Sequence, residues 1–222
     1  MKKVLSVVLA LVMILSFAAC GKKEEPAKGP GCYVTIVKGD GEFAVAYEFV
    51  EFNDYNKDGK NDIDEVLKAA HATYGKEEDY ASSNSDWGLS LTKLWGDESG
   101  AYSYYHNNQM VMTDLSEEVK EGDYVAAFVF QDKVNWTDAY SYIESTNYEN
   151  ETLTVHVKKV GFDANWNPEM QDAEGVEVFV DGTSIGTTGA DGTVAAKVTV
   201  TESTVTAKGQ GLVPAVVKVA VK

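Results

Sequence analysis

Apolar and polar residues first alternate along the chain with the period of a β-strand. Residues 33–38 and 42–52 each show this alternation, and Gly39, Asp40 and Gly41 lie between them. Glycine and aspartate favour tight turns, so the segment predicts a β-hairpin. The alternation assigns Phe43, Val45, Tyr47 and Phe49 to one face of the second strand and Glu48, Val50 and Phe52 to the other.

A helical period follows. The apolar residues that recur three or four positions apart, and so predict an amphipathic helix, are Ile63, Val66, Leu67, Ala70 and Tyr74. Asp62 and Asp64 stand at the start of this helix, where its dipole favours anions, and His71 stands near its end. Gly75 is expected to end the helix.

Three short strand-like segments, 88–92, 101–106 and 123–131, complete the first half of the chain, and residues 76–86 are predicted to form a polar loop. The last segment alternates, with Tyr124, Ala126, Phe128 and Phe130 on one face. Strands on both sides of one helix predict an α+β domain in which the helix lies across a curved sheet.

The pattern changes near residue 150, where valine, threonine and glycine replace the aromatic residues. Strand-like segments recur, without a helical period between them, at 153–160, 176–180, 194–200, 204–207 and 215–221. Asp181-Gly182 and Asp191-Gly192 are hairpin turn signals. Short strands at regular spacing predict a small all-β sandwich after the α+β domain.

The first twenty residues have the pattern of an export signal. Two lysines precede an apolar run that ends in two alanines, and Cys20 follows. Such a run is typical of a secretory signal and is too short for a comfortable membrane span. The position of the cysteine resembles the lipidation site of bacterial lipoproteins, which predicts a signal peptide at 1–19, lipidation of Cys20 and a flexible tether at 20–31. An ordinary signal peptide with an incidental cysteine is the alternative.

The charge balance excludes one class of partner. The 222 residues have a formal net charge of −16, and all the basic residues are lysines. Nucleic-acid binding needs a basic surface, usually with arginine, so nucleic acid is excluded. The same acidity repels anionic lipid surfaces, so we expect membrane contact only through the acyl chains on Cys20.

The sequence contains two cysteines. With Cys20 lipidated, Cys32 has no partner for a disulfide, so packing or a metal must stabilise the fold. Cys32 is then either a reactive thiol or a small residue at the edge of a strand.

The candidate site with the most specific residue spacing is the acidic segment 54–65, between the hairpin and the helix. Calcium prefers about six to eight oxygen ligands, and an EF-hand loop supplies them from positions one, three, five, seven, nine and twelve, with glycine at six. Those ligand positions are here Asp54, Asn56, Asp58, the Lys60 carbonyl, Asp62 and Glu65. The segment resembles a lone EF-hand-like or dockerin-type loop and predicts a structural Ca²⁺. The alternative is a solvated turn that caps the helix.

A second candidate site lies among the aromatic residues of the middle segment. The residues expected to contact a ligand are Trp87, Trp95, Tyr104, Tyr105, Asn107 and Trp136. Their side chains would form a surface on which a ring, a sugar or a peptide stacks. Packing in the core is the alternative, since aromatic side chains normally bury a large area.

The order of these motifs resembles the transcobalamin C-terminal-like domain, a β-grasp type module of many exported bacterial proteins. The resemblance covers about residues 33–145 and rests on the helix core 65–70, Trp87-Gly88, the tyrosine strand before Asn107-Asn108, and Gly122-Asp123. It implies one β-grasp-like domain at 32–148, with a mixed sheet and one main helix. In vitamin-carrier relatives this domain covers one face of a corrinoid and a helical domain covers the other. No such helical domain occurs in this sequence, so corrinoid binding is a remote alternative.

The last segment is similar to the carboxypeptidase-regulatory or PEGA class of β-sandwich. The glycine and Asp-Gly positions of 175–192 and the final strand 212–221 account for this resemblance. It implies an Ig-like or transthyretin-like sandwich at 149–222, of a kind that acts as a spacer or an adhesion unit.

The sequence gives no support to an enzyme. His71, His106 and His156 occur in three different contexts, and no P-loop, Rossmann, HExxH or GxSxG motif is present. We therefore expect a non-enzymatic, lipid-anchored protein on the outer face of a bacterial membrane, which binds an extracellular small molecule, glycan or protein. A structural or adhesion module for a partner protein is the alternative, and a hydrolase with an unseen carboxylate pair is a remote third.

Overall fold

The computed structural model describes residues 28–165 and 167–220. The predicted signal peptide, Cys20 and most of the predicted tether lie outside these residues. None of the helices among them has the length and apolar character needed to cross a membrane. The described chain is mostly β, with one α-helix, and forms an N-terminal unit (28–138) and a C-terminal unit (139–220).

The helix α1 spans Ile63–Tyr74. The strands are β1 (Gly31–Val37), β2 (Phe43–Glu51), β3 (Ala81–Ser85), β4 (Gly88–Lys93), β5 (Tyr102–His106), β6 (Gln109–Met110), β7 (Tyr124–Val129), β8 (Ser141–Glu149), β9 (Thr152–Phe162), β10 (Pro168–Asp172), β11 (Glu177–Val180), β12 (Thr183–Thr187), β13 (Thr193–Lys197), β14 (Glu202–Lys208) and β15 (Ala215–Ala220).

The N-terminal unit is a mixed five-stranded sheet with α1 packed on one face. The strand order is β2-β1-β7-β5-β6, and β1 pairs with β7 in parallel while the other pairs are antiparallel. The inner face of the sheet, towards α1, contributes Val34, Ile36, Val50, Val125, Ala127 and Val129 to a core with Ile63, Val66 and Leu67. The coarse prediction of a mixed sheet with one helix is confirmed.

Helix α1 begins and ends where the sequence predicts. The Asp62 side chain accepts the backbone N–H of Glu65 at 2.9 Å, which caps the first turn. Gly75 follows the last turn, and its N–H donates to the carbonyl of His71. A Cβ at Gly75 would lie 2.5 Å from the ring of Trp95, so the close approach of this ring requires glycine.

A β-bulge in β2 corrects the faces predicted for that strand. Tyr33 pairs with Phe49 but Ile36 pairs with Val45, so β2 has one extra residue between these pairs, and Tyr47 there has a φ of 54°. Val45 consequently lies in the inner core, whereas Tyr47 stacks on Tyr33 on the outer face. One extra residue reverses the alternation, so Val45 does not share a face with Tyr47.

Residues 76–86 are not the polar loop that the sequence predicts. They contain a 3₁₀ turn at Glu77–Asp79 and the strand β3, which pairs with β4 in a two-stranded ribbon. The outer end of β3 is exposed, so its serines and asparagine show no apolar alternation that would indicate a strand.

Cys32 does not lie at a strand edge. It is fully buried in β1, which is flanked by β2 and β7, and it forms no disulfide among the described residues. Burial, with a smaller effect of the Asp123 charge, raises the pKa of the thiol to about 12. A buried thiol of this kind is inert at neutral pH.

The C-terminal unit consists of two antiparallel, sandwich-like sheets around a second core. In one sheet β9 pairs with β8, β10 and β13, and in the other the order is β12-β11-β14-β15. Both sheets contribute to the core, which includes Ile143, Leu153, Val155, Val157, Val178, Val205 and Ala207. The predicted all-β character of this segment is confirmed.

Two details of the C-terminal unit differ from prediction. The boundary expected between 148 and 149 falls inside the β8–β9 hairpin, because β8 pairs with β9 from Ser141 to Glu149. The Asp181-Gly182 turn joins β11 to β12 as expected, with φ values of 48° and 80°. The Asp191-Gly192 turn closes no hairpin, since β12 and β13 belong to different sheets.

The two units share a third core, which we call the seam. The outer face of the N-terminal sheet contributes Val37, Tyr105, Ala126 and Phe128, and the C-terminal unit contributes Tyr140, Val160 and Val213. The Tyr140 ring stacks on Tyr105 with centroids 3.8 Å apart, and its hydroxyl donates to Asn108 Oδ1 at 2.7 Å. The predicted common face of Tyr124, Ala126, Phe128 and Phe130 is confirmed, and it faces this seam.

Substitution of Tyr140 tests the contribution of the seam to stability. Tyr140→Ala should lower the free energy of unfolding by about 3 kcal/mol or more, because it leaves a cavity among buried aromatic rings. Tyr140→Phe keeps the ring and loses the bond to Asn108, so it should cost about 1 kcal/mol. Urea unfolding of the three proteins measures both values. An alanine variant as stable as the phenylalanine variant would contradict the packing described.

Candidate functional site

In the acidic loop 54–65, side-chain oxygens accept hydrogen bonds from backbone N–H groups of the same loop. Asp54 accepts the backbone N–H of Asp58 at 3.1 Å and of Gly59 at 2.9 Å. Asn56 Oδ1 accepts the N–H of Asp58, and Asp58 Oδ1 accepts the N–H of Lys60, both at 2.8 Å. These bonds use one lone pair of each oxygen and leave others for a cation.

Glu65 ties the end of the loop to its beginning. Its Oε1 accepts the backbone N–H of Asn56 at 2.9 Å, so the carboxylate points into the loop. The residue is 4% exposed, and among the described residues its Oε2 is the one buried side-chain oxygen or nitrogen without a hydrogen-bond partner. A buried carboxylate oxygen without a partner is costly, so this atom marks where a cation would stabilise the fold.

The charges of the loop also favour a cation. Burial raises the pKa of Asp62 to about 6, and the negative charges of Glu65, Asp64 and Asp58 add to the shift. In the described chain, no three histidine, cysteine, aspartate or glutamate side chains already converge as a metal centre. The loop depends instead on mixed donors, because Asn56 and the Lys60 carbonyl occupy two of its ligand positions.

The six residues predicted to bind a ligand do not form one surface. Trp87 is 89% exposed at the tip of the β3–β4 ribbon. Trp95 is half-buried at the end of α1, where its ring packs on His71 with centroids 4.8 Å apart. Tyr104 packs against the inner core, and Tyr105 is buried in the seam. No ring contact in the described chain joins two of the tryptophans.

Asn107 and His71 have structural contacts. Asn107 lies in the turn after β5 with a φ of 49°, and its amide bonds to Asp123 and to the backbone N–H of Tyr124. His71 Nδ1 lies 2.7 Å from the carbonyl of Leu67, and its Nε2 accepts the N–H of Trp95 at 3.0 Å. Burial lowers the pKa of His71, in agreement with a neutral ring.

Trp136 borders an open recess at the edge of the seam. Two adjoining cavities, of about 170 and 440 Å³, share Met110 and Val160 in their walls, and we call them together the seam recess. The smaller lobe, which we call the aromatic lobe, is lined in large part by aromatic rings, among them Phe130, Trp136, Tyr140 and Phe162. The larger lobe is lined by Gln109, Met110, Met112, Val160, Pro168, Glu169 and Met170.

The loop after β7 fixes the position of Trp136. Asp132 accepts the backbone N–H groups of Val134 and Asn135, and Asp138 accepts those of Gln131 and Asp132. The Trp136 indole N–H donates to the Lys133 carbonyl at 3.0 Å. Its ring lies 5.8 Å from that of Phe130 at an interplanar angle of 11°, and the residue is 54% exposed. Trp136 is therefore an exposed ring that the fold orients in advance.

Sequence reasoning named two residues of the smaller lobe, Trp136 and Tyr105, but missed the other residues of the recess. Met112, which is 78% exposed, and Met170 lie on segments without aromatic clusters, and Phe162 and Val160 come from β9 of the other unit. Only the contact between the units brings these residues together, and no local sequence pattern reports such a contact.

A further cleft, of about 350 Å³, lies between the edge strands β8 and β15. Its two charged wall residues are already paired, Glu144 with His156 at 2.8 Å and Lys218 with Glu48 at 2.5 Å. The cleft thus offers no unpaired charge for ligand recognition.

His106 supports the segment that packs beside the acidic loop. Its Nδ1 lies 2.7 Å from Glu117 Oε1 and its Nε2 lies 2.9 Å from Asp123 Oδ2. Burial alone would lower the pKa of His106, but the hydrogen bonds and charges of Glu117 and Asp123 outweigh it and raise the pKa. The Glu117 carbonyl also accepts the N–H of Ile63, the first residue of α1. His106 therefore helps to hold the start of the helix through its contact with Glu117.

Comparison with known proteins assigns no family. No known protein family matches the sequence, and no curated protein matches it. Among solved structures, the crystal structure of a β-glucuronidase from Parabacteroides merdae is similar, with 16% identity and a TM-score of 0.25. The match covers 54% of this chain and 21% of the enzyme chain. A similarity of this size carries no argument about the fold or the activity.

The contribution of His106 to stability should depend on pH. Because its folded-state pKa is raised, the ion pairs stabilise the protein fully below the unfolded value of about 6.5 and are lost as pH rises through the folded value. His106→Gln should therefore lower the free energy of unfolding by about 1–2 kcal/mol near pH 6 and by less near pH 9. Urea unfolding at both pH values, with metal chelated, measures the two differences. An equal loss at both would show that charge on His106 is irrelevant.

Proposed function

We propose that this protein is a non-enzymatic, calcium-stabilised binding protein, exported and anchored through a lipid on Cys20 to the outer face of a bacterial membrane. Its N-terminal unit is of the β-grasp type. The strand order β2-β1-β7-β5-β6, with the parallel pair in the centre of the sheet, supports this interpretation. The extracellular ligand binds where the aromatic residues of this unit meet the C-terminal sandwich.

The observation that carries the proposal is the seam recess. Concave, mostly apolar cavities with few polar groups are typical of ligand sites. Met112 and Trp136 are exposed apolar side chains in the walls of the two adjoining lobes, and contiguous exposed apolar surface marks an interaction site. Of the predicted set, the ligand site therefore includes the exposed Trp136, and the buried Tyr105 forms part of the recess wall.

Calcium is the proposed structural cofactor. The residues that would hold it are Asp54, Asn56, Asp58, the Lys60 carbonyl, Asp62 and Glu65. Hard oxygen donors suit Ca²⁺, and the partnerless Glu65 Oε2 supports a cation at this position. The ion would neutralise the buried carboxylate and fix the start of α1. Since the pKa of Asp62 is about 6, protons should compete with calcium below that pH.

A second candidate function is an adhesion module that binds a partner protein. The observation that favours it is Trp87, which projects from the ribbon tip with 89% exposure, since exposed tryptophans are common anchors of protein interfaces. Trp87→Ser should then abolish partner capture without changing the occupancy of the seam recess.

Chelation tests the calcium site. Calcium at about 100 times its dissociation constant adds about 2.7 kcal/mol of stability, which should raise the melting temperature by about 5 °C or more over protein in EDTA. Glu65→Gln should abolish this response, because the amide removes the charge and one of the two carboxylate oxygens. The matched control, Glu121→Gln in an exposed turn outside the loop, should respond like wild type. A wild-type protein that melts identically with calcium and with EDTA would exclude the site.

A neutral apolar dye tests the binding recess. Nile red should bind the native protein with enhanced fluorescence, and Trp136→Ala and Met112→Gln should each reduce that enhancement several-fold. The control is Val134→Gln, because Val134 is 87% exposed but does not line the recess. Equal loss in the control, or no binding by wild type, would contradict the proposal.

A further inference from the structure

The walls of the seam recess carry charge of one sign only. Asp138 lies in the wall of the aromatic lobe and Glu169 in that of the larger lobe, and neither wall contains a lysine or histidine. The nearby Lys133 is already paired with Asp97. An anionic ligand would therefore meet repulsion on both sides, whereas a cation would be attracted.

Most polar groups in the aromatic lobe are already satisfied. The Tyr140 hydroxyl donates to Asn108 at 2.7 Å, and the Thr137 hydroxyl donates to Asp132 at 3.2 Å. Asp138 Oδ2 accepts two backbone N–H groups. A sugar ring in this lobe would bury hydroxyl groups with few free partners, at about 1–3 kcal/mol for each unsatisfied group. A ligand without hydroxyl groups avoids this cost.

The orientation of Trp136 suits a flat ring. Its face is held parallel to Phe130 by the stacking contact and by the bond from its indole N–H to Lys133. An aromatic ligand ring stacks on such a face, and a positive group near the ring gains a cation–π contribution. The three methionines of the other lobe, Met110, Met112 and Met170, adapt to ligands of varied shape.

From this arrangement we infer that the seam recess binds small aromatic cations, with the ring against Trp136 and the positive group facing Asp138 or Glu169. The inference rests on the proposed binding function and specifies the ligand class of the same site. An arylalkylamine such as tryptamine meets each requirement, since it has a flat apolar ring, one positive charge at neutral pH and no hydroxyl groups.

Three probes with the same ring test the inference: tryptamine (cationic), indole-3-propionamide (neutral) and indole-3-propionate (anionic). Ligand-observed NMR titration of the whole protein at low salt should give the affinity order cation, neutral, anion, with about threefold between successive probes. Trp136→Ala should weaken all three. The double variant Asp138→Asn/Glu169→Gln should bring the three affinities together, because both substitutions keep an acceptor oxygen and remove the charge.

The matched control is Glu121→Gln/Glu202→Gln, which removes the same net charge from exposed positions outside the recess and should keep the order. Equal affinity for the three probes, or tightest binding of the anion, would overturn the inference. So would tighter binding of methyl β-glucoside than of tryptamine. If Nile red still binds in those cases, the proposed function stands and only the ligand class is wrong; if Nile red also fails to bind, both are wrong.

Discussion

The structure depends on covering the outer face of the N-terminal sheet. The inner face packs against α1, but β7 and β5 also place Phe128, Ala126 and Tyr105 on the opposite face. An apolar sheet face of this size must be buried, and a single helix covers only one side. The C-terminal unit covers the other side with Tyr140, Val160 and Val213, so the two units share a core.

The recess lies where the C-terminal unit stops covering the outer face of the N-terminal sheet. Tyr140 lies flat over Tyr105 and Phe128 in the middle of the seam, whereas Phe130 directly follows the end of β7, with the Trp136 ring stacked on it. Beyond this point the walls come from both units, and the apolar side chains remain in contact with solvent. The same packing therefore stabilises the protein and creates its candidate ligand site.

Local order was largely predictable from the sequence, and long-range contacts were not. The helix bounds followed from Asp62, the apolar period and Gly75, because capping and periodicity act within a few residues. The bulge at Tyr47 and the exposed ribbon strand β3 escaped prediction because neither has a distinctive local pattern. For the sites, the acidic loop could be proposed from the sequence because its candidate ligands lie close together along the chain. The recess could not be proposed in this way, since its wall residues, such as Met112 and Phe162, come from different units.

Differential scanning calorimetry of the purified protein tests the shared core most directly. If the seam joins the two units into one cooperative structure, the protein should unfold in a single transition whose calorimetric enthalpy equals the van't Hoff enthalpy. Two separate transitions, one for each unit, would contradict this account.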